Sequence, residues 1–543
     1  MHKDTAKPRE IAVATLAQLL ETGSALALID VREHGEYNLA HIPGATSVPR
    51  RQLETRMGRL VPFRGVQVVV CDDTGRRAAL AANTLIRMGY TRVAVLEGGV
   101  NRWASQNLPT EWGMNVPSKD FGEKVEVQHH VPTIDADELA GRQRRGDDLI
   151  IVDTRTPEEY QRFCIPGGRS VPGAELALRI HDLRRERPQA TVVVNCAGRT
   201  RSIIGARVLQ RMQVPNVVSL RNGTSGWLLA GLELERGANR VDLPQLSAEG
   251  RAVAEAFAAR VAAEDGVRML AVDELPALMA RASAETVYLI DVRTRDEYVA
   301  GHIPGFWWFP GGQAVQRADD TAAVRNGSVV FCCDGTVRAA VTASWYRQMG
   351  FSKVFALVGG TTAWRRAGHA LATGADEFLE PVVTEARARV QQVSPDELAA
   401  AVASARPPAV LYVDSSDRFA AGHVPGAQWL PRGWLELRAG ELVRDRAAPI
   451  VVTDEDGDNA TLSAATLFDL GYREVAALAG GTEAWRQSGR GLEHGLTGVA
   501  RPPDDVVPAG PDRSFADMIN YLRWEERLGH KYASPGDAPL PGP

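Results

Sequence analysis

Residues 29–44 read IDVREHGEYNLAHIPG, and the same pattern returns three times further along the chain. The later copies are VDTRTPEEYQRFCIPG at 152–167, IDVRTRDEYVAGHIPG at 290–305 and VDSSDRFAAGHVPG at 413–426. The aspartates of consecutive copies lie 123, 138 and 123 residues apart, so each copy marks a unit of domain size rather than a short solenoid repeat. The longer middle spacing favours a pairing of repeat 1 with repeat 2 and of repeat 3 with repeat 4.

The composition is typical of a soluble globular protein. Of 543 residues, 44% are hydrophobic and 24% are charged, which excludes collagen-like, broadly disordered and disulfide-scaffold classes. A net charge of -5 without a long basic run predicts no nucleic-acid partner and no membrane partner. Because the sequence shows neither a signal peptide nor an apolar membrane span, we expect a cytoplasmic location. The five cysteines are few for a chain of this length and odd in number, which argues against a disulfide framework and indicates reduced thiols.

Short apolar runs alternate with helical patterns between the repeated motifs. Buried strands are predicted at residues 68–70, 192–194, 329–331 and 450–452. Each strand leads through a short loop into a helix, so the repetition predicts an α/β fold of four tandem domains, each with a mainly parallel sheet flanked by helices. Ligands of such sheets bind at the carboxyl ends of the strands, and the strand-to-helix loop is therefore the expected place for chemistry.

The domain boundaries follow from these landmarks. We predict domains at 8–113, 130–236, 267–372 and 392–496, followed by a tail at 497–543. A glycine-rich turn precedes a tryptophan in each domain, and these tryptophans are expected in the core: Trp103, Trp227, Trp364 and Trp485. Linkers are expected near 113–130, 236–268 and 372–392, the middle one with a helix over 251–263 that bridges the two halves. The tail is expected to carry one helix, at 514–528, packed on the last domain.

The loop of repeat 2 reads CAGRTRS at 196–202, between a predicted strand and a predicted helix. Backbone amides, the positive end of the helix and arginine charge should all favour the thiolate of Cys196. The same cradle would hold an oxyanion or a persulfide anion, with close approach at Gly198 and charge-assisted hydrogen bonds from Arg201. Arg199 is expected to project from the loop, either to bind an anionic donor or simply into solvent. The predicted binding segment comprises Ala197, Gly198, Arg199, Thr200, Arg201 and Ser202.

Taken together, these motifs resemble the rhodanese sulfurtransferases, over roughly residues 10–495 as four tandem units. The resemblance rests on the Asp-Val-Arg opening, the His-Ile-Pro-Gly segment, the Cys-x4-Arg-Ser loop and the Gly-Gly…Trp ending. It implies a ping-pong reaction in which the thiolate takes the outer sulfur of thiosulfate or a similar donor anion and becomes a persulfide. The persulfide passes this sulfur to cyanide or to a thiol, including the thiol of a protein acceptor. The resemblance implies neither a metal nor an organic cofactor.

Counting back from the glycine turn aligns the four loops. The distance from the loop position of Arg201 to the turn is 21 residues in every repeat, which places Asp72, Cys196, Cys333 and Asp454 at the nucleophile position. We therefore expect Cys196 and Cys333 to be catalytic and repeats 1 and 4 to be inactive. The predicted binding residues of repeat 3 are Asp334, Gly335, Thr336, Val337 and Arg338, and the carboxylate of Asp334 makes that loop less favourable for an anion.

Two alternatives stay open at this stage. Cys71 and Cys332 both begin a Cys-x5-Arg segment that resembles the loop of dual-specificity phosphatases and arsenate reductases, and the fixed spacing does not exclude this loop. Alternatively, the chain is a sulfur carrier or a binding scaffold in which the degenerate repeats 1 and 4 dock a partner.

Several polar residues recur with the repeat whether or not that repeat has a nucleophile, so they are not expected to be catalytic. The Asp-x-Arg pairs that begin at Asp30, Asp153 and Asp291 are predicted to be buried structural ion pairs, because one of them occurs in a repeat without a nucleophile. The histidine of the His-Ile-Pro-Gly motif is replaced by Cys164 in the repeat with the best-formed loop, so no general base is expected there. Cys164 itself is predicted to be a packed thiol. His129 and His130 lack a third ligand in the sequence, and no metal site is expected.

Overall fold

The computed structural model describes residues 8–375, 380–499 and 502–533. Each repeat contains one five-stranded sheet, and every pair of neighbouring strands is parallel. Numbered within a repeat, the strand order is 1-5-4-2-3 in all four sheets. The predicted α/β fold of four tandem domains is thus confirmed. The fourth strand is central, and its buried run of valine, isoleucine and phenylalanine matches a strand that is covered on both faces.

Repeats 1 and 2 have the same order of elements. Repeat 1 comprises β1 (Arg9–Ile11), α1 (Val13–Glu21), β2 (Leu26–Asp30), α2 (His34–Leu39), β3 (Thr46–Ser47), α3 (Leu53–Leu60), β4 (Gln67–Cys71), α4 (Arg76–Arg87), β5 (Val93–Leu96) and α5 (Gly99–Ser105). The connecting helix α6 (Val116–His129) follows. Repeat 2 comprises β6 (Thr133–Ile134), α7 (Ala136–Arg145), β7 (Leu149–Asp153), α8 (Pro157–Arg162), β8 (Arg169–Ser170), α9 (Gly173–Arg184), β9 (Thr191–Asn195), α10 (Thr200–Arg211), β10 (Val217–Leu220) and α11 (Gly223–Leu229).

The second half repeats this order. After the connecting helix α12 (Ala248–Glu264), repeat 3 comprises β11 (Arg268–Leu270), α13 (Leu275–Ala280), β12 (Val287–Asp291), α14 (Arg295–Ala300), β13 (Trp307–Trp308), α15 (Gly311–Gln316), β14 (Ser328–Cys332), α16 (Val337–Gln348), β15 (Lys353–Leu357) and α17 (Gly360–Arg366). After α18 (Pro381–Arg389), repeat 4 comprises β16 (Gln391–Val393), α19 (Pro395–Val402), β17 (Ala409–Tyr412), α20 (Ser416–Ala421), β18 (Gln428–Trp429), α21 (Leu435–Leu442), β19 (Ile450–Thr453), α22 (Asp458–Asp469), β20 (Val475–Leu478) and α23 (Gly481–Gln487). The last helix is α24 (Phe515–Gly529).

The repeats pair differently from the sequence-based prediction. Repeats 1 and 4 form one compact unit, here called unit 1, and repeats 2 and 3 with α6, α12 and α24 form unit 2. Within unit 1, Arg432 donates to Glu54 at 2.5 and 2.8 Å, and Arg50 makes the reciprocal ion pair with Glu436. The predicted pairing of 1 with 2 and of 3 with 4 is therefore wrong. Spacing along the chain reports the length of a connection, not the face on which the next domain packs.

The repeated structural residues lie as expected. All four tryptophans of the glycine turns are buried, and each indole N–H donates to a backbone carbonyl six residues further on. In repeats 1 to 3 the arginine of the Asp-x-Arg pair donates hydrogen bonds from Nε and Nη2 to its aspartate, which is fully buried. His41, His302 and His423 stack on an aromatic ring and contact a backbone carbonyl through Nδ1. The structural interpretation of these residues is confirmed.

The connections are more ordered than predicted. The linker expected near 113–130 contains the helix α6, which packs along α10. The helix expected over 251–263 is confirmed as α12, which lies against α9 of repeat 2 and α16 of repeat 3. The tail helix is confirmed as α24, but it packs on α6 rather than on the last repeat. Residues 376–379 of the third linker and the end of the tail beyond residue 533 lie outside the described residues. Among the described helices, none is long and apolar enough to cross a membrane.

Candidate active site

Four backbone hydrogen bonds align the loops that follow the central strands. The carbonyl of Asp72 accepts from the N–H of the residue after the glycine turn at 2.8 Å, and Asp454 does the same at 2.8 Å. The corresponding distances at Cys196 and Cys333 are both 2.9 Å. These four residues therefore occupy one structural position, and the alignment by spacing is confirmed.

The second residue of each glycine turn lies directly beneath this position. Gly223 has a φ of +52°, and a Cβ there would lie 2.1 Å from the carbonyl oxygen of Cys196. At Gly360 the corresponding distance to the oxygen of Cys333 is 1.9 Å. No side chain fits at either place, so the glycines allow the helices α11 and α17 to support the loops from below.

In repeats 1 and 4 a carboxylate fills the loop. Asp72 accepts a hydrogen bond from the N–H of Arg77 at 2.7 Å and from two further loop amides. Asp454 accepts from the N–H groups of Gly457 at 2.6 Å and of Ala460 at 3.1 Å. The backbone of this loop thus points several N–H groups at the nucleophile position, an arrangement that suits an anion.

In repeat 2 the same position holds a thiol. Cys196 is 3% exposed, and its Sγ lies 3.6 Å from the hydroxyl of Ser202, which in turn donates to the carbonyl of Arg199 at 2.8 Å. The residues 196–202 are called the thiol loop of repeat 2 below. Because α10 begins at Thr200, the loop lies at the amino end of that helix, where the helix dipole favours negative charge.

Repeat 3 presents a thiol with a carboxylate, Asp334, inside its loop. The N–H groups of Gly335 and Ala339 bond to the sulfur of Cys333. Burial raises the pKa of Cys333 to about 11, and the charge of Asp334 acts in the same direction against the lowering by Arg338. The residues 333–338 are called the thiol loop of repeat 3. The sequence-based expectation that Asp334 disfavours an anion in this loop agrees with that direction.

The loop arginine of repeats 1 to 3 is held by a glutamate that the sequence analysis did not single out. Each pair is joined by two N–H···O contacts of 2.6–2.8 Å, and the pairs are Arg77 with Glu36, Arg201 with Glu159 and Arg338 with Glu297. Burial opposes ionisation of Glu159, but the charge of Arg201 outweighs it and lowers the pKa of Glu159 to about 2. The sequence carried a signal for these pairs, since repeat 4 lacks both the arginine and the glutamate.

The family model for the rhodanese-like domain matches the chain four times, at residues 12–106, 135–230, 271–367 and 394–488. The chain belongs to the rhodanese-like domain family. Its structure is similar to that of a thiosulfate sulfurtransferase from Pseudomonas aeruginosa, with a TM-score of 0.87, 36% identity and coverage of 96% of this chain and 97% of that chain.

Curated relatives match single regions of this rhodanese-family chain. A thiosulfate sulfurtransferase of Azotobacter vinelandii is 31% identical over 169 residues, which is 27% of this chain and 61% of that protein. A putative sulfur carrier protein, YrkF of Bacillus subtilis, is 30% identical over 97 residues, which is 18% of this chain and 51% of that protein. The matches thus span about half to three fifths of the length of these relatives. Together with the family, they support sulfurtransferase activity.

Arg199 of this rhodanese loop does not project from the surface. Its guanidinium is buried between α6 and α24, where it donates to Glu123 at 2.6 and 2.8 Å, to Glu126 and, at 3.2 Å, to Glu526. Both sequence-based alternatives for Arg199 required a side chain that extends from the loop, so the expected projection is wrong. The carboxylates come from segments far away in the sequence, and no local pattern could have indicated them.

Helix α24 covers the thiol loop of repeat 2. The hydroxyl of Thr200 donates to Glu525 at 3.0 Å. A Cβ on Gly198 would lie 3.5 Å from Glu525 Oε2 and 3.9 Å from Leu522 Cδ2. By contrast, a Cβ on Gly335 in the thiol loop of repeat 3 would meet nothing within 4 Å. The two rhodanese loops therefore differ in accessibility at the same position.

The three other cysteines lie away from the loop amides. Cys71 and Cys332 end their strands fully buried, with side chains that pack in apolar clusters on the other side of the sheet from the loop helix. The Cys-x5-Arg alternative needs one of these thiols in the cradle, and the structure places neither of them there. Cys164 packs against Tyr160 and Ala238. The prediction of a packed thiol at Cys164 is confirmed.

Proposed function

We propose that this protein moves sulfane sulfur from thiosulfate or a similar anionic donor to a thiophilic acceptor through a persulfide on Cys196. Cys333 serves as a second, slower nucleophile. The binding groups are the loop segments Ala197 to Ser202, without the side chain of Arg199, and Asp334 to Arg338. The acceptor is cyanide, a small thiol or the thiol of a protein. No metal or organic cofactor takes part in this reaction.

The observation that carries the proposal is the occupancy of the inactive loops. In repeats 1 and 4 the loop amides bind a carboxylate at the position that Cys196 takes in repeat 2. Burial raises the pKa of both Asp72 and Asp454, and the loop amides act against this by favouring the charged form. In repeat 2 the same amide orientation supports the thiolate and, one sulfur longer, the persulfide anion. Cys333 has the same amides around its sulfur, but burial and Asp334 oppose its ionisation.

The proposed chemistry balances without a further reagent. The thiolate of Cys196 attacks the outer sulfur of thiosulfate, a new S–S bond forms, and sulfite leaves with the electron pair of the broken bond. The acceptor thiolate or cyanide then attacks the outer sulfur of the persulfide, and the Cys196 thiolate is released. The loop amides stabilise the negative charge of both the thiolate and the persulfide, and the arginine–glutamate pairs hold the loop in place.

Intact-protein mass spectrometry after exposure to thiosulfate tests the proposal. We expect a gain of one sulfur atom that peptide mapping assigns to Cys196, is absent in Cys196→Ser and disappears when cyanide is added. A persulfide that forms but is never discharged to cyanide or to small thiols would point to a sulfur carrier. If no donor modifies any cysteine, the scaffold interpretation replaces the enzyme.

A further inference from the structure

The two thiol loops of unit 2 are linked through one position that repeats 2 and 3 share. This position comes three residues after the proline that follows the third strand, and it holds Glu175 in repeat 2 and Gln313 in repeat 3. The helices α9 and α15 begin there and meet closely, since a Cβ on Gly312 would lie 3.2 Å from the backbone nitrogen of Gly173. Each of the two side chains therefore reaches into the other repeat.

The contacts made across this junction involve the loop arginines. Gln313 Nε2 donates to Glu159 Oε2 at 3.0 Å, and Glu159 is the carboxylate that holds Arg201. In the opposite direction, Arg338 Nη1 donates directly to Glu175 Oε1. Each repeat thus sends one side chain to the arginine–glutamate pair of its neighbour, but one of these side chains is neutral and the other is charged.

Unit 1 contains one such contact, from repeat 4 to repeat 1, with a third residue type. The equivalent position in repeat 4 holds Trp434, and the guanidinium carbon of Arg77 in repeat 1 lies 4.0 Å from the centre of its ring. An aromatic face leaves the charge of an arginine in place. In repeats 2, 3 and 4 the residue at this position therefore contacts the neighbour's loop arginine or its glutamate, whereas the charge that it delivers varies.

Glu175 of repeat 2 adds a negative charge near the thiol of repeat 3. Arg338 contacts three carboxylates, Glu175, Glu297 and Asp334, and both Arg338 and Glu175 are almost fully buried. Arg179 Nε lies 3.3 Å from Glu175 and is 19% exposed, so water weakens its compensation. In a buried setting such charges are poorly screened. In the thiol loop of repeat 2, Arg201 pairs with one carboxylate, Glu159.

We propose that Glu175 is a positioning residue for the Cys333 site. By engaging Arg338 from the neighbouring repeat, it directs that site towards uncharged sulfane sulfur donors and away from anions such as thiosulfate. Gln313 delivers no charge to Arg201, and the other carboxylates beside the Cys196 loop bond to Arg199 or Thr200 rather than to Arg201: Glu123, Glu126, Glu525 and Glu526. This position therefore leaves the Cys196 site open to an anion. This assignment rests on the proposed function, because it requires that both thiols accept sulfur.

A donor of the form R–S–SH that reacts in its protonated, uncharged form gives a balanced step at Cys333. The thiolate attacks the outer sulfur, a new S–S bond forms and the donor S–S bond breaks, and R–S⁻ leaves with the electron pair. The product is the persulfide of Cys333, the same species that the anionic donor produces at Cys196. Two donor classes would thus feed one unit through two loops.

Two alkylating probes that differ only in charge test the assignment. In a Cys196→Ser background, the rates of Cys333 alkylation by neutral iodoacetamide and by anionic iodoacetate are measured by peptide mass spectrometry. We expect Glu175→Gln to raise the iodoacetate-to-iodoacetamide ratio about tenfold and to shift the pH midpoint of alkylation downwards, because one buried negative charge is removed. Glu175→Asp keeps the charge and should keep the wild-type ratio.

The mirror variant supplies the matched control. In a Cys333→Ser background, Gln313→Glu should lower the same ratio at Cys196 about tenfold, since it adds the buried charge that repeat 3 already faces. An unchanged ratio and an unchanged pH midpoint in Glu175→Gln, with circular dichroism of the wild type, overturn the assignment. If Glu175→Gln does not fold, an unchanged ratio in Gln313→Glu overturns it instead.

The outcome for the proposed function is read separately. If the Cys196 persulfide forms from thiosulfate but Glu175→Gln leaves the alkylation ratio and its pH midpoint unchanged, only the positioning role is contradicted. A ratio that responds as expected in a protein that never forms a persulfide contradicts the proposed function and, with it, the donor preference assigned to Glu175. Both results come from the same purified full chain.

Discussion

Repeats 1 and 2 build the same loop around different atoms. In repeat 1 the carboxylate of Asp72 takes the loop amides, and in repeat 2 the thiol of Cys196 stands at that position, above the same backbone contact to the following helix. Amides of this kind favour negative charge, which a carboxylate carries within the chain. A thiol carries it only as a thiolate or a persulfide, and these are the forms that exchange sulfur. The comparison shows that a repeat can lose the nucleophile and keep the architecture that served it.

The largest effect should come from removing the thiol that distinguishes the two loops. We expect Cys196→Ser to lower the rate of sulfur transfer from thiosulfate to cyanide at least about tenfold, because the covalent step loses its nucleophile. Cys333→Ser should lower the rate less, since burial raises the pKa of Cys333 to about 11. Steady-state kinetics of both variants checks this order. A larger loss in Cys333→Ser would reverse the assignment of the main nucleophile.

The next largest effect should come from removing the carboxylate of Asp72, which takes the place of the thiol in repeat 1. Asp72→Ala leaves several buried amides without an acceptor, at a cost of roughly 1–3 kcal/mol for each unpaired group. We therefore expect the free energy of unfolding of unit 1 to fall by about 3 kcal/mol. Asp72→Asn retains an acceptor oxygen and should cost less. Urea unfolding, with hydrogen exchange at Gly75 and Arg77, measures both variants. Equal stability of Asp72→Ala and wild type would contradict the requirement for an acceptor at this position.

A pH effect of intermediate size should come from repeat 4. Burial, followed by the charge of Asp456, raises the pKa of Asp454 from 3.8 to about 7, although the loop amides oppose this shift. The folded state therefore holds the proton more tightly, and the resulting stabilisation is complete below pH 4 and lost as the pH rises through 7. Relative to Asp454→Asn, the wild type should lose about 2 kcal/mol of stability between pH 5 and pH 8. A constant difference between the two proteins across this range would contradict the shift.

The smallest effect should come from the cysteine next to the cradle. Cys71 is fully buried in the core of repeat 1, and Cys71→Ser places a hydroxyl there at a cost of about 1 kcal/mol in stability. Sulfur transfer should stay at the wild-type rate, because the variant leaves both thiol loops intact. Loss of activity in a folded Cys71→Ser protein would show that repeat 1 contributes a nucleophile after all.

Much of the candidate site could be predicted from the sequence because its geometry is local. Cys196, its amides and Arg201 lie within six residues, and the 21-residue spacing to the glycine turn spans one helix and one strand of fixed length. The pair of Arg201 with Glu159 was also within reach, since both residue types vanish together in repeat 4. The surroundings of Arg199 were not, because its partners Glu123 and Glu526 come from the connecting helix α6 and the tail helix α24, both outside the repeat.

The sequence by itself determined four copies of one parallel α/β domain, the loop that holds the chemistry and the two positions that keep a thiol. These features depend on hydrophobic periodicity and on short-range spacing, which each repeat carries within itself. Only the tertiary structure decided that repeats 1 and 4 share a unit, that α24 covers the loop of Cys196 and that Glu175 reaches Arg338. Such contacts join residues more than a hundred positions apart, and they follow from how finished domain surfaces fit together.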